Sequence, residues 1–434
     1  MTLPEAIEFA RAHHPRLAVA RSEIDARRAQ SAVPRARWLP RIGTTVQAIV
    51  GSNNSSATDW LGSGGAVELP RISGTAYLQR SSQIDWAPYM NTTVAVGLEQ
   101  RIFDFGRVAA EQAFDDAQVE VSRYREAQLL LLVELAVREA YYATLAAGSI
   151  VTAADGAVTR ARVHRDHARA WVGQGLRPQI ELDRSEADLS RFEVGRIRAL
   201  GGLEIARAVF AEAVGIDAPG LDIAGEAPLP PELPPLADAI RQARDRDPAL
   251  HAAEAALAAQ RAETRAREAE MRPELRLVVT ALGASGGAPA AGQTTGTYGA
   301  GFAPWIPDYF AGVVLSWRIF DAAQRERRNT SLAEESTRMT EIAAVRHEQT
   351  AAVQQAWIST DLAQHALPAL QHALDAARSN YAQADARFNA GLGTSVELAD
   401  AEGLRTDAEI QSALGQFEVA RTRARLARVI AEGQ

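Results

Sequence analysis

The chain has 434 residues, enough for two or three ordinary domains or one large repetitive one, and 47% apolar content with 6% aromatics points to Ala, Leu and Val in long, closely packed helices. A net charge of −8 argues against a nucleic-acid partner; all 46 basic residues are Arg with no Lys, which we read as genomic composition bias. The lack of Cys excludes disulfides, thiolate chemistry, Cys-based zinc sites and lipid attachment through an N-terminal Cys, and no run of about 18 apolar residues offers a membrane-spanning helix.

Met1-Thr2-Leu3 leads straight into a helical pattern, so no signal peptide is recognisable; the protein is either cytosolic or the sequence begins at a mature end. Pro40 ends this first helix, because proline removes a donor and clashes with the preceding turn. The period then changes to two. Ile42, Thr44, Val46, Ala48 and Val50 alternate with Gly43, Thr45, Gln47 and Ile49, and on the return Val94, Val96 and Leu98 alternate with Thr93, Ala95, Gly97 and Glu99. A β-hairpin is expected over about 41–103. From Phe105 to about Gly173 there is no proline, and a helix of that length reaches roughly 100 Å. Paired rows at Leu132, Ala136, Ala140 and Thr144 and at Val133, Val137, Tyr141 and Leu145 mark one packed side, and Gly148 and Gly156 are expected to loosen the helix midway. Gly173-Gln174-Gly175 supplies the tight turn at which the chain reverses, with a tip near 173–178, so the plan is elongated.

A connector from Pro228 to Pro235 cannot be helical and reads as a stiff linker between a first part, 1–227, and a second, 236–434. The second part repeats the order of the first. Pro273 ends its first helix. A hairpin over about 274–320 carries Leu275, Leu277, Val279 and Ala281, then Val313, Leu315, Trp317 and Ile319. Pro368 is expected to kink the long helix, and Gly391-Leu392-Gly393 forms the tip near 391–394.

The repetition is also one of residues. At a shift of 233, Leu3, Ala6, Ile7, Ala10, Pro15, Leu17, Ala20, Arg28, Ala29, Ala36 and Pro40 fall on identical residues. At 217, Leu98 and Arg101-Ile102-Phe103-Asp104 fall on Leu315 and Arg318-Ile319-Phe320-Asp321; at 216, Gly175-Leu176, Glu181-Leu182 and Glu186 fall on Gly391-Leu392, Glu397-Leu398 and Glu402. The fold class expected is mainly α with a small β part and an internal duplication.

Four strands with one apolar face cannot close a barrel alone, and open edges are not tolerated in lipid. Membrane barrels need about eight strands, so strands meeting lipid require a dimer or a trimer. Trp60, Trp86 and Tyr89 in the first hairpin, and Trp305, Tyr309 and Phe310 in the second, lie where an interfacial aromatic girdle would sit; rings capping a soluble hairpin are the alternative.

The ordered set of motifs resembles the TolC family of outer-membrane efflux proteins over essentially the whole chain. His13-His14-Pro15-Arg16-Leu17 and Arg246-Asp247-Pro248-Ala249-Leu250 look like that family's helix openings, Arg101 to Arg107 like its strand-to-helix signature, and the Gly-Leu turns followed by Glu-Leu like its periplasmic tips. The resemblance implies a homotrimer in which long antiparallel helices form an α-barrel and four strands per chain build a shared 12-stranded β-barrel. It places the protein in the bacterial outer membrane, in contact with its lipid and extended into the periplasm. Such channels work with a periplasmic adaptor and an inner-membrane transporter and carry out no chemistry, so neither enzyme activity nor a cofactor is expected.

On that resemblance Glu397 and Asp400 match constricting acidic residues of the pore gate, Glu181 matches a first-copy residue that keeps the tip closed, and Gly175, Leu176, Gly391 and Leu392 face the adaptor. Glu397 and Asp400 are three apart and share a helix face, so in a trimer each would form a ring of like charge that favours cations; acidic residues near a helix start are equally ordinary dipole partners. Two positions depart from the family pattern. Gly393 stands where some members have arginine, and Phe388 where some have tyrosine.

His164 and His167, three apart, are read as surface residues among Arg160, Arg162, Arg165 and Arg169 rather than as metal ligands. No phosphate loop, nucleophile elbow or zinc-helix motif is present. The rival to a channel is a soluble, elongated helical scaffold, which accounts for the helices but not for four duplicated alternating strands.

Overall fold

The computed structural model describes residues 1–51, 89–217, 223, 232–286 and 305–432; Trp60, Trp86 and positions 228–231 of the connector lie outside them. Helices α1 (Leu3–His13) and α2 (Pro15–Ala36) precede strands β1 (Arg41–Gly51) and β2 (Tyr89–Phe103), which lead into α3 (Arg107–Gly173) and α4 (Gln179–Val214). The second copy runs α5 (Leu236–Arg246), α6 (Pro248–Ala269), β3 (Glu274–Gly286), β4 (Trp305–Ser316), α7 (Ala322–Asn389) and α8 (Ser395–Val429). The duplication is thus one of structure, element for element.

The helix openings have one physical cause in both copies. His14 and Asp247 are extended, with ψ of 125° and 116°, as residues before proline prefer, and Pro15 and Pro248 start α2 and α6 where a missing N–H costs nothing. The side chains of His14 and Asp247 then accept from the amides of Arg16 (3.2 Å) and Ala249 (2.9 Å). The strand-to-helix signature works likewise. Asp104 accepts from the amides of Gly106 (3.1 Å) and Val108 (2.9 Å), and Asp321 from those of Ala323 (3.0 Å) and Gln324 (3.3 Å), so each carboxylate caps a long helix at its positive end. Phe105 and Gly106 have φ of 53° and 88°, which is why α3 starts at Arg107 rather than at Phe105. Helix α3 continues through Gly148 and Gly156, and α7 through Pro368.

The chain divides into two compact units, each drawing on both copies: 1–26 with 120–255 and 339–434, and 27–119 with 256–338. The second contains an antiparallel sheet of order β1-β2-β3-β4, in which β2 and β3 join the copies. Its register puts Ile42, Leu98, Val279 and Ala311 in one row and Thr44, Val96, Ala281 and Tyr309 in the next. That face is bare: Ile42, Val46, Val50, Val96, Tyr309, Val313 and Leu315 are exposed, whereas Thr93, Ala95 and Thr280 on the other face are buried. Strand β4 ends at Ser316, short of the expected Trp317 and Ile319. Its partner β3 begins at Glu274, opposite Ser316, and the preceding Pro273 has no amide to extend the ladder. The Trp317 indole instead donates to the Met271 carbonyl at 3.1 Å.

In the first unit α1 packs through Ala6 and Ala10 with Leu17 against Val133, Val137, Tyr141 and Phe210, and α5 through Ala239 and Ala243 against Val353, Leu426 and Ile430. The end of the connector is fixed there, where the Trp357 indole donates to the Pro234 carbonyl at 2.8 Å.

Candidate functional site at the helix turns

Both long hairpins reverse by the same device. Gly175 (φ 71°) and Gly391 (φ 75°) take the left-handed conformation that glycine adopts without a Cβ clash. The Leu176 amide returns to the Trp171 carbonyl and the Gly175 amide to that of Val172, both at 2.9 Å; the Leu392 amide returns to Arg387 (2.9 Å) and that of Gly391 to Phe388 (3.0 Å). These are paired Schellman closures, and they leave Leu176 and Leu392 67% and 75% exposed. The four turn residues read from the sequence therefore occupy equivalent places.

Glu397 lies in the first turn of α8, where its amide donates to the Thr394 hydroxyl at 3.2 Å and its carboxylate meets Arg387 of α7 at 3.4 Å. Asp400 is exposed one turn later, with no ion pair among the described residues. Glu181 sits in the first turn of α4, and its Oε2 is buried without a hydrogen-bond partner. Of the aromatic candidates, Tyr309 is 82% exposed on the bare sheet face; Phe310 follows it and is paired with Thr280 on the opposite face. Tyr89 opens β2 and Trp305 opens β4.

Behind the turns lies a polar and aromatic cluster that sequence reasoning did not assemble. The Trp171 ring lies tilted against Phe388 with centroids 5.1 Å apart, and Phe388 is buried with Tyr381, Ala384, Leu398 and Ala401. Arg160 Nε donates to both oxygens of Glu402 at 2.8 Å. Gly156, expected to loosen α3, instead makes room for this arginine: a Cβ there would stand 2.9 Å from its Nη1. His164 does not pair with His167. Its Nε2 lies 3.0 Å from the Tyr381 hydroxyl, while the His167 ring leans on Trp171. His164 also lines a small interhelical cavity of about 30 Å³ with Ser185, Asp188, Ser395 and Glu402, and its Nδ1 and the Ser395 hydroxyl have no partner among the described residues. Burial pushes the His164 imidazole below its usual value, Asp385 opposing and His167 and Arg160 reinforcing; burial likewise pushes the Tyr381 phenol up to about 12. The cluster is built to hold helices of the two copies together, and no group of three or more candidate metal ligands occurs among the described residues.

Comparison with known proteins agrees with this architecture. The profile described as outer membrane efflux protein matches residues 6–215 and 239–432, one segment per copy. Protein CyaE of Bordetella pertussis is 28% identical over 287 residues, 64% of this chain and 53% of that protein, so the chain spans about half the length of this curated relative. Among solved structures, the outer-membrane channel OprN superposes with a TM-score of 0.78 at 19% identity over 99% of this chain and 90% of its own. The open state of the Neisseria gonorrhoeae MtrE outer membrane channel gives 0.74 at 18% identity over 99% and 89%. At these identities the two structures speak to the fold.

Proposed function

The chain belongs to the outer membrane efflux protein family, and we propose that three copies of it form a channel through which an export system passes its cargo across the periplasm and the outer membrane. The observation that carries this reading is the sheet. Its exposed face carries Ile42, Val46, Val50, Val96, Tyr309, Val313 and Leu315, and β1 and β4 are each paired on one side only among the described residues. A bare apolar face beside two open edges is costly in water, and in lipid only a closed barrel satisfies the edge groups. Three chains supply about twelve strands, within the range of such barrels. No described helix is long and apolar enough to cross a membrane.

Within that assembly Tyr309 belongs to the aromatic belt at the lipid boundary. The exposed Leu176 and Leu392 at the two turns face a periplasmic adaptor, which couples the channel to an inner-membrane transporter. Glu397 and Asp400 contribute acidic rings at the pore constriction, with Glu181 holding the first-copy hairpin in the closed tip.

Expression behind a secretion leader, fractionation, and recording of the detergent-purified protein in planar bilayers test the reading. A trimer in the outer-membrane fraction that opens stable pores is expected. A stable monomer recovered without detergent from the soluble fraction would overturn it and favour a helical scaffold.

A further inference from the structure

All four strands have one end at the junctions with the helices, where the register sets Arg41 opposite Glu99, Phe103 opposite Leu275 and Glu274 opposite Ser316. Cationic and apolar surface gather at this end. In residues 31–43, 99–107, 265–276 and 314–328 every exposed charged side chain is an arginine except Glu326, on a chain whose net charge is −8. The acids of the same stretches are engaged elsewhere: Glu99, Glu268, Glu270 and Glu274 are half-buried in ion pairs, and Asp104 and Asp321 cap α3 and α7. Arg272, Arg318 and Arg325 are exposed and have no ion-pair partner among the described residues. Large apolar side chains stand beside them. Trp317, Ile319 and Phe320 are 57%, 81% and 74% exposed, and Phe103 and Phe105 are exposed as well. Printed contacts tie these junctions together: the Trp317 indole to the Met271 carbonyl, Arg272 to the Phe105 carbonyl at 3.5 Å, Phe105 edge-on to Phe103 at 4.7 Å, and Arg325 over the Phe320 ring at 5.7 Å. Phe105 keeps a left-handed backbone, φ 53°, that strains a bulky residue, and burial of its ring does not offset the strain.

We propose that this collar is a binding site for the headgroups of anionic phospholipids, with Arg272, Arg318 and Arg325 holding phosphate and Trp317 and Phe320 lying at the acyl boundary. The inference rests on the channel reading, which puts the exposed sheet face in lipid, and the collar continues that face. Trp317 and Ile319 prolong the alternation of Val313 and Leu315 past the last pair of the ladder. Strand β4 has 12 residues, and about 9–11 cross the hydrocarbon when tilted, so the residues just past Ser316 stand at its edge. An indole suits that level because its body is apolar and its N–H is polar. A guanidinium presents a planar fork that matches phosphate oxygens, and its charge persists at every physiological pH. An acidic protein or a nucleic acid would answer the charge alone; a lipid surface answers the charge and the bare rings beside it.

The experiment reconstitutes the detergent-purified full chain into mixed vesicles of phosphatidylcholine and phosphatidylglycerol, with one or the other lipid brominated at equal mole fraction. Tryptophan quenching then reports which lipid sits at the collar, and subtracting the signal of Trp317→Phe isolates Trp317 from the other tryptophans. In the parent, brominated phosphatidylglycerol should quench Trp317 at several-fold lower content than brominated phosphatidylcholine. Arg318→Gln should cut that preference about fivefold, the weight of one cation near an anionic surface. Arg272→Gln, Arg318→Gln and Arg325→Gln together should abolish it, and Arg318→Lys, which keeps the charge, should retain most of it. Equal quenching by the two lipids in the parent overturns the site. Arg198→Gln removes an exposed arginine of α4 and should leave the preference as in the parent; a loss as large as that of Arg318→Gln assigns the effect to net charge and overturns the collar too. A chain that stays out of the vesicles fails the channel reading separately. Sedimentation of that chain with phosphatidylglycerol against phosphatidylcholine vesicles still decides the collar, and equal binding to both overturns it.

Discussion

Arg160 and Glu402 join the two copies of the repeat through a fork in which one nitrogen, Nε, reaches both carboxylate oxygens at 2.8 Å. Glu402 is 2% exposed, and the Thr406 hydroxyl donates to it at 3.2 Å, so the carboxylate is fully enclosed and hydrogen-bonded. Removing one partner strands a buried charge, whereas removing both leaves an apolar contact. Arg160→Met should therefore lower unfolding stability by about 3–5 kcal/mol, and Arg160→Met with Glu402→Leu should recover most of the loss. Urea unfolding of the two proteins checks this. A double variant as unstable as the single one would mean that the pair contributes by its packing rather than by its charge.

His164 makes the same region sensitive to acid. Its folded value is depressed from 6.5, chiefly by burial, so the unfolded chain takes up the proton first as pH falls. Above the unfolded value His164 contributes no pH dependence; between the unfolded value and the lower folded one, each step down in pH costs stability. His164→Phe keeps a ring beside Tyr381 and Phe388 and removes the titration. Comparing urea midpoints of parent and variant at pH 7.5 and 5.5 cancels the other seven histidines. The parent should lose more stability than His164→Phe on acidification, and equal losses would show that His164 is not the sensing group.

What could be read from the sequence, and what could not, follows the range of the interaction involved. Strands, turns and helix openings are legible because each is written in residues close together: the two-residue alternation at Ile42 to Val50, the glycines at 175 and 391, the prolines at 15 and 248. The end of β4 is hidden in the sequence because Trp317 and Ile319 continue the alternation, while the ladder stops short of Pro273 on the partner strand. Arg160 and Glu402 are 242 residues apart, and His164 and Tyr381 are 217 apart, so no local pattern marks either pair; among neighbouring arginines His164 looked like a surface residue. Arg177 donates to the Gly393 carbonyl at 3.1 Å, and the duplication marks this contact by aligning the two positions.

The two faces of the sheet should respond in opposite ways to charge. Val46 and Val313 are 69% and 58% exposed on the apolar face, whereas Gln47 lies on the other. If the apolar face meets lipid, Val46→Arg or Val313→Arg places a cation against hydrocarbon at a cost of about 2–4 kcal/mol near the midplane. The yield of heat-resistant trimer in the outer membrane should fall for both and hold for Gln47→Arg. Equal yields for all three would remove lipid from that face.

Glu397 and Asp400 offer a test of the pore itself. Both are exposed on one side of α8, and the Arg387–Glu397 contact is between half-exposed groups, the kind of pair that solvent screens to little net value. In the proposed trimer each carboxylate would become a ring, and like charges in a narrow, poorly screened passage attract cations and repel one another. Replacing both by Ala should raise single-channel conductance and move the reversal potential in a salt gradient toward zero cation preference. Arg387→Ala, which frees Glu397 from its only ion-pair partner among the described residues, should shift cation preference the opposite way while leaving the chain folded. Identical reversal potentials for the parent, the double variant and Arg387→Ala would take these residues out of the permeation path and leave them as ordinary first-turn acids at the start of α8.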